Sequence, residues 1–405
     1  MELAVAPSLH RPSSAAGSDP LVALFAPYVE RSVVGMLDPG RIDMVAEDLR
    51  AVQRRRKHHA GLLVSALVLS AFRGPSDIEG RWLDAASIYR DIGGCDGGMT
   101  AFRAFARKML PVMQAMLQRR MKQLVAEAKT TELRGRLQAF ADVLIPDGCA
   151  FKLASVLSGI SPGTGQPAEL KLHAVYSVKA QTAQSVTPTA GSVHDSDGFW
   201  PTWEPGALYI WDLGYQSVDR FVDGALAGAH LLQRLKSNHD PIILASYGAN
   251  GARRTIRNAD GDRVRLEAAL AAGMVHKSEQ LDLDVELVDR KKRKVVARVV
   301  CVPTQGEDRY YLTTLPRATF SPSDVGELYR IRWEVELFFK NWKGGVRMDH
   351  VHRLRNPTSL AVSVTASMLA GLLSRDLHVG LAHATDDLLG AAAPPTGDAI
   401  SPCAA

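Results

Sequence analysis

Apolar residues recur every three or four positions through the first third of the chain, the spacing that places them on one face of an α-helix. Glycine and proline at positions 74–75 and the GGCDGG sequence around Cys95 interrupt this pattern. The segments that carry it are 21–36, 42–52, 61–72, 100–129 and 132–140. They predict a helical N-terminal domain at 21–140, preceded by a disordered arm at 1–20 that is rich in Ser, Ala and Pro.

From about residue 142 the pattern changes to short runs rich in β-branched and aromatic residues, which are typical of strands. These runs are 143–145, 170–178, 185–193, 207–211 and 230–235. A helical pattern over 217–227 lies between the last two runs. Strands interleaved with helices predict a mixed α/β domain, whose first part we assign to residues 141–238.

The segment at 239–316 has little helical periodicity beyond a brief stretch at 264–272. Apolar residues instead alternate with polar ones from Leu281 to Leu287, and a charged turn at 289–294 follows. The runs at 295–302 and 309–313 complete a predicted antiparallel meander. We therefore predict a β-rich insertion that interrupts the α/β domain.

A helix is predicted to begin near Ser321 or Ser323, where a Ser-Pro-Ser-Asp sequence supplies capping residues and a proline suited to the first turn. It runs to Lys343 and ends at Gly344-Gly345. This helix lies within a segment at 317–350 that resumes the α/β domain. A helical C-terminal segment at 351–390 and a disordered tail at 391–405, rich in Ala, Pro and Gly, complete the chain.

Composition narrows the class of protein without identifying it. A chain of 405 residues with 46% hydrophobic and 22% charged residues folds into two or three globular domains and is neither collagen-like nor largely disordered. The net charge of +5 suits a polyanionic partner, but many unrelated enzymes are as basic.

The four cysteines are far apart and form no CxxC pair, so we expect a reducing, cytoplasmic environment and neither a zinc site nor a disulfide framework. The apolar stretches at 61–72 and 359–373 fall short of the roughly 20 residues that a membrane-spanning helix needs. We therefore predict a soluble protein that is not exported and has no membrane partner.

The sequence YRIRWEVELFFKNWK contains four polar residues at regular helical spacing: Tyr329, Arg332, Glu336 and Lys343. Three, four and seven residues separate them, which places them within an arc of roughly 60° on one helix face. A carboxylate flanked by two cations and a phenol suits a DNA strand beside a bound metal ion. The same spacing also fits a solvent-exposed helix face with i,i+4 ion pairs.

This motif resembles the signature of the DDE transposase of the insertion-sequence-4 type family, in which Tyr, Arg, Glu and Lys follow one another at the same intervals. The resemblance extends upstream to LIPDGCAFKL, which contains Asp147, and to ALYIWDLGYQS, which contains Asp212. KLHAVYSV from Lys171, the His194-Asp195 pair and TTLP at 313–316 are also similar. The resemblance covers residues from about 140 to 375.

The resemblance implies an RNase H-like mixed sheet whose catalytic acids, Asp147, Asp212 and Glu336, bind two Mg²⁺ ions, for which Mn²⁺ can substitute. Tyr329, Arg332 and Lys343 then contact DNA. The implied partners are double-stranded DNA, as transposon ends and target, and a second copy of the chain in a synaptic homodimer. The N-terminal helical domain lies outside the resemblance, and we expect it to bind the DNA ends.

Two other functions fit the same residues. One is an RNase H-like, structure-specific DNA nuclease that has the same acids but carries out no strand transfer. The other is a DNA-binding relic of a transposase whose catalysis has decayed, although all three acids and the whole signature are present.

Several further polar residues have two interpretations. His173 and the His194-Asp195 pair either support the site or make ordinary hydrogen bonds near strands. Asp142 and Asp219 are the acids that could replace one of the proposed three. The basic runs RRRKHH at 54–59 and RKKRK at 290–294 either contact DNA or are solvated surface segments.

Overall fold

In the computed structural model of the protein, the described residues are 20–52, 58–75, 77–197, 202–236, 239–248, 250–275, 281–303 and 308–392. Residues 1–19 of the predicted arm, 54–57 of the first basic run and 393–405 of the predicted tail lie outside them.

The described residues form a helical N-terminal region and then strands interleaved with helices, as the sequence predicts, together with a helix at Ile78–Asp91 and strands at Ile242–Tyr247 and Arg253–Arg254 that it does not predict. The helices are α1 (Pro20–Leu37), α2 (Pro39–Asp48), α3 (Ala60–Arg73), α4 (Ile78–Asp91), α5 (Met99–Lys108), α6 (Leu110–Ala128), α7 (Val218–Leu226), α8 (Leu266–Ala271), α9 (Pro322–Arg330), α10 (Trp333–Lys340) and α11 (Pro357–Ala392). The strands are β1 (Val143–Lys152), β2 (Glu169–Ser177), β3 (Thr182–Ala190), β4 (Leu208–Trp211), β5 (His230–Arg234), β6 (Ile242–Tyr247), β7 (Arg253–Arg254), β8 (Asp282–Val288), β9 (Lys294–Val302) and β10 (Arg309–Thr313). The predicted α/β class is confirmed.

The N-terminal region is helical, with boundaries set by capping residues. Asp38 accepts hydrogen bonds from the backbone at the start of α2, and α3 ends at Gly74, whose φ of 62° suits a residue without a side chain. The helix predicted at 100–129 is two helices, because Pro111 lacks an N–H group and favours a new helix start. The helix predicted at 132–140 is only a 3₁₀ turn at Gly135–Ala139.

The ten strands form one mixed sheet in the order β3-β2-β1-β4-β5-β10-β9-β8-β6-β7. β1, β4 and β5 are mutually parallel, whereas every other neighbouring pair is antiparallel. The insertion predicted at 239–316 extends this sheet, because β10 pairs with β5 in the register Leu312 to Gln233. It is therefore continuous with the strands that carry the candidate site.

Each face of the sheet is covered by its own hydrophobic core. Val143 and Ile145 point into a core shared with the N-terminal helices, α9, α10 and α11. Leu144 points to the opposite face, where α7 and α8 pack. The N-terminal helices therefore pack against the same face as the signature segment.

α11 is longer than the apolar stretch predicted at 359–373. Its segment Pro357–Thr385 is long and apolar enough to cross a membrane, so the argument from a short apolar stretch was wrong. However, 78% of its most apolar 18-residue window is buried inside the protein, where it packs against α1, α3 and α6. This is the burial expected of a core helix.

A buried ion pair joins the strand extension to the start of α9. Arg298 on β9 donates two hydrogen bonds to the Asp282 carboxylate, from Nε at 2.7 Å and from Nη2 at 2.6 Å. Its Nη1 donates to the carbonyl oxygen of Phe320, immediately before the α9 cap, at 2.7 Å. The side chains of Arg298 and Asp282 are only 5% and 8% exposed. One guanidinium therefore links two strands to the helix that begins the signature segment.

We expect Arg298→Met to lower the free energy of unfolding by about 2 kcal/mol, because it removes two hydrogen bonds from a buried carboxylate, which Arg317 continues to pair. Lys294→Met on the same strand is the matched control, since Lys294 is exposed and its ion pair with Glu286 contributes less than about 1 kcal/mol. Urea unfolding followed by circular dichroism measures both, and equal effects would contradict the assigned role of Arg298.

Candidate active site

The two candidate aspartates lie at the same level on neighbouring parallel strands. Asp212 directly follows β4, whereas Asp147 lies inside β1, which continues past the predicted run 143–145 to Lys152. Val143 pairs with Leu208, and Asp147 and Asp212 each lie four residues further along. Side chains two residues apart in a strand share a face, so Asp147 lies on the face of Ile145, toward α9 and α10. Both carboxyl groups therefore lie at the same level on two neighbouring internal strands.

The signature segment is not the single continuous helix that the sequence predicts. α9 ends at Arg330, and the amides of Ile331 and Arg332 bond to carbonyls three residues back, those of Leu328 and Tyr329, at 3.2 and 3.1 Å. α10 follows, and Lys343 lies in a π-helical turn, Asn341–Gly345. Bonds of this 3₁₀ type bring residues i and i+3 into line, so the Arg332 guanidinium lies 6.0 Å from the centre of the Tyr329 ring.

Two of the four signature side chains, Tyr329 and Arg332, contact the three candidate acids, one of which is the signature residue Glu336. The Tyr329 hydroxyl donates to Oδ1 of Asp212 at 3.2 Å. Arg332 places Nη1 3.8 Å from Oδ2 of Asp147, and its Nη2 donates to Oε1 of Glu336. Residues that are more than a hundred positions apart in sequence thus form one polar cluster.

The fourth signature side chain, Lys343, lies against β1. Its ammonium group is 5.5 Å from the centre of the Phe151 ring. Burial raises the pKa of the nearby Cys149 thiol, and the charge of Lys343 opposes the shift. Lys343 itself is exposed, so its charge remains available to a ligand.

Burial and charge crowding perturb the acids of this cluster. Burial raises the pKa of Asp147 to about 6, and the charges of Asp212 and Asp195 add to the rise, while the Gly148 amide and Arg332 oppose it. Burial, followed by the charge of Asp212, raises the pKa of the Tyr329 phenol, which therefore remains a hydrogen-bond donor at neutral pH. The cluster has an excess of negative charge that a cation relieves.

Among the residues that the structure describes, no three His, Cys, Asp or Glu side chains are gathered closely enough to form a metal site as they stand. The physical reason at the candidate site is the position of Arg332, whose guanidinium lies between the carboxylates of Asp147 and Glu336. The acids are neighbours, but they meet through a cationic side chain.

The two competing acids lie elsewhere. Asp142 precedes β1, at the strand end opposite to the site, and accepts hydrogen bonds from Ser177 and from the backbone of Lys179. Asp219 lies in the first turn of α7 and accepts from the backbone of Arg290. Both carboxylates are occupied by structural contacts.

The remaining polar candidates divide between the site and the surface. His173 is fully buried behind Asp147, where it bonds Tyr215 and Thr189. Asp195 pairs with Lys171 at 3.1 Å and influences the pKa of Asp147, whereas its neighbour His194 is exposed. Sequence reasoning treated Tyr215 only as part of the DLGY context and did not predict its contact with His173.

The two basic runs have different settings. His58, in the described part of the first run, lies 3.1 Å from the Cys95 sulfur. In the second run, Arg290 is 92% exposed, while Arg293 pairs with Asp223 and Asp289. These contacts leave the predicted DNA roles of both runs open.

Comparison with known proteins identifies relatives along most of the chain. The family model for the transposase DDE domain matches residues 139–366. The transposase for insertion sequence element IS231E of Bacillus thuringiensis subsp. finitimus is 23% identical over 340 residues, covering 76% of this chain and 70% of that protein. The transposase for IS1151 of Clostridium perfringens is 21% identical over 365 residues, covering 81% and 76%.

A shorter match is closer in sequence. The putative transposase InsL for insertion sequence element IS186A of Escherichia coli (strain K12) is 35% identical over 66 residues, which cover 16% of this chain and 18% of that protein.

The raised pKa of Asp147 predicts a pH-dependent stability difference. A raised pKa means that the folded state holds the proton more tightly, so stability is lost as pH rises from the ordinary value of 3.8 through about 6. Asparagine cannot ionise. In metal-free buffer, the stability of Asp147→Asn relative to the parent should therefore increase by about 2 kcal/mol between about pH 4.5 and about pH 7.5.

Urea unfolding at both pH values measures this difference. Glu334→Gln, which removes an exposed carboxylate from α10, is the control for loss of a negative charge alone. A difference between Asp147→Asn and the parent that does not vary with pH would contradict the described environment of Asp147.

Proposed function

Since this chain belongs to the DDE transposases, and the insertion-sequence-4 type label fits it, we propose that it binds the terminal inverted repeats of an insertion sequence and moves that element by cut-and-paste transposition. In this proposal the enzyme cleaves a strand at each transposon end and transfers the freed 3′-hydroxyls to target DNA. Asp147, Asp212 and Glu336 are the proposed catalytic acids.

One observation carries the proposal: the signature segment brings Tyr329 to Asp212 and Arg332 to Asp147 and Glu336. An ordinary exposed helix face with internal ion pairs would not contact the acids of two neighbouring strands in this way. The order and directions of the first five strands, β3-β2-β1-β4-β5 with only β1, β4 and β5 parallel, support the RNase H-like label.

The donor set fits a hard divalent cation. Asp147, Asp212 and Glu336 offer only carboxylate oxygens, which Mg²⁺ and Mn²⁺ prefer, and crowding of negative charge already raises the pKa of Asp147. We propose that these three side chains hold two such ions, which supply activation of the attacking oxygen and stabilisation of the leaving oxygen. Glu336 joins the set when Arg332 releases it.

The surrounding side chains position DNA in this proposal. Arg332 contacts two of the acids, and a phosphodiester entering the cluster offers it an anionic partner in place of Asp147 and Glu336. The Tyr329 hydroxyl holds the Asp212 carboxylate in place through its hydrogen bond. Lys343 contributes a phosphate contact beside β1.

The partners that we propose are double-stranded DNA, as transposon ends and target, and a second copy of the chain that pairs the two ends. The N-terminal helical domain, residues 21–140, is the proposed contact to the ends. The proposed location is the cytoplasm.

We expect Glu336→Gln to bind transposon ends within about threefold of the parent while losing cleavage by on the order of 100-fold or more, because it deletes a metal ligand and keeps the cationic contacts. The substrate is a DNA duplex with the inverted repeats that bracket the coding region, and gel-shift and nicking assays with Mg²⁺ measure the two effects.

Glu334→Gln is the matched control, since Glu334 is an exposed residue two positions away on the same helix. Cleavage by Glu336→Gln at the parental rate would refute the assignment of the acid. In the same reactions, joining of 3′-hydroxyl ends to target DNA distinguishes a transposase from a nuclease that only cuts.

We expect Lys343→Ala to weaken binding of transposon ends and to reduce the slope of log affinity against log salt by about one, the loss of one phosphate contact. Fluorescence anisotropy over a series of salt concentrations measures the slope. Lys343→Arg keeps the charge and should retain the parental slope, so an unchanged slope in Lys343→Ala would exclude the phosphate contact.

A further inference from the structure

The two strands that carry the aspartates separate before they reach them. β1 and β4 pair only at Val143 with Leu208 and at Leu144 with Tyr209. Beyond that point β1 pairs with β2 alone, with Asp147 opposite Ala174. No described strand pairing therefore fixes the distance between the segments that carry Asp147 and Asp212.

A side-chain contact on the opposite face of the sheet spans this gap. Tyr215 lies in the 3₁₀ turn that follows Asp212, and its hydroxyl is 2.9 Å from Nδ1 of His173 on β2. Tyr215 is 3% exposed and His173 is fully buried. The turn after Asp212 is thus attached to the strand that pairs with the Asp147 segment.

The hydrogen-bond directions of this contact follow from its neighbours. The Thr189 hydroxyl donates its proton to the carbonyl of Ala190, so it accepts a bond from Nε2 of His173 at 3.0 Å. Burial lowers the pKa of His173, which favours the neutral ring. Nδ1 is then an acceptor, and the Tyr215 hydroxyl donates to it.

The residue next to Asp147 makes room for this bond. A Cβ atom at Gly148 would lie 2.7 Å from the Tyr215 hydroxyl oxygen, a distance that forces the tyrosine to move. Gly148 does not have a positive φ, so backbone conformation does not require glycine here. The lack of a side chain is what leaves room for the Tyr215 hydroxyl. Any larger residue at this position displaces the hydroxyl from His173.

The Asp195 carboxylate packs beside the same contact. Its Oδ1 would be 3.4 Å from a Cβ atom at Gly148, and its Oδ2 3.0 Å from one at Gly214, between Asp212 and Tyr215. Lys171 holds it through an ion pair of 3.1 Å. Gly148 and Gly214, which follow the two proposed catalytic aspartates in sequence, therefore both lie beside the Asp195 carboxylate.

We propose that Tyr215 and His173 are positioning residues that set the separation between Asp147 and Asp212, and that Gly148 is kept small so that the tyrosine hydroxyl reaches the histidine. This inference rests on the proposed function, in which those two aspartates hold divalent cations. Neither Tyr215 nor His173 touches the DNA or the reacting atoms. Their effect is on the spacing of the acids.

The test uses Tyr215→Phe, which removes one oxygen atom and keeps the packed ring. We expect the Mn²⁺ concentration for half-maximal thermal stabilisation to rise about tenfold, as is common when a group that orients a metal ligand is lost. Binding of transposon ends should stay within about twofold. A merely structural role would lower the melting temperature without metal and leave this Mn²⁺ concentration unchanged, which would overturn the proposal.

Tyr209→Phe is the matched control. Tyr209 is a fully buried tyrosine on β4, and its hydroxyl donates to the Thr202 carbonyl at 2.9 Å, away from the aspartates. The same hydroxyl also accepts from the Glu204 amide at 3.0 Å, so Tyr209→Phe loses at least as much hydrogen bonding as Tyr215→Phe. It should nevertheless leave the half-saturating Mn²⁺ concentration at the parental value. A shift as large as that of Tyr215→Phe would also overturn the proposal.

Gly148→Ala provides a second, independent variant. It should raise the half-saturating Mn²⁺ concentration by about as much as Tyr215→Phe, because both break the same bond. The double variant should then show a total rise of about tenfold, whereas two unrelated effects would multiply to about a hundredfold. A multiplicative result would overturn the shared mechanism.

Failure of the proposed function is distinguishable from failure of this inference. If the parent shows no stabilisation by Mn²⁺, or if Glu336→Gln cuts transposon ends at the parental rate, the assignment of the acids is wrong and the inference falls with it. If those two results are as expected and Tyr215→Phe binds Mn²⁺ like the parent, only the positioning role is wrong.

Discussion

Negative charge gathered at a partly buried point where two internal strands of the sheet separate is the constraint on which the rest of the structure depends. Asp147 and Asp212 lie side by side there, with Asp195 close behind. Carboxylates in such a setting repel each other and lose hydration, so they persist only beside cations or in protonated form. Arg332 supplies the cation in this structure by lying between Asp147 and Glu336. A divalent ion would relieve the same crowding more strongly.

Much of the fold serves to hold Arg332 and its neighbours against that point. The signature segment begins where Arg298 fixes the Phe320 carbonyl, and it crosses the sheet on the face covered by the N-terminal helices and α11. A 3₁₀ turn at its centre aligns Tyr329 with Arg332. One short segment therefore contacts both Asp212 and Asp147. The strand extension supports this arrangement, because it contributes Arg298 to the contact.

The opposite face of the sheet carries the contact between Tyr215 and His173. The acids point toward the helices, while Tyr215 and His173 meet behind them at the place where β1 and β4 separate. In our proposals, one face thus compensates the charge of the acids and the other sets their spacing. Both roles suit the carboxylates that we propose to hold hard cations in this member of the DDE transposases.

The sequence by itself determined most helices and strands and the α/β class, because periodicity is a local property of the chain, and its resemblance to a family signature supplied the candidate acids. Only the tertiary structure showed that the residues after 239 extend the sheet, that α11 is a buried helix, that the signature helix is interrupted, and that Arg332 separates Asp147 from Glu336. The contact between Tyr215 and His173 belongs to the same group. All of these depend on packing and charge between segments far apart in sequence, which no local pattern encodes.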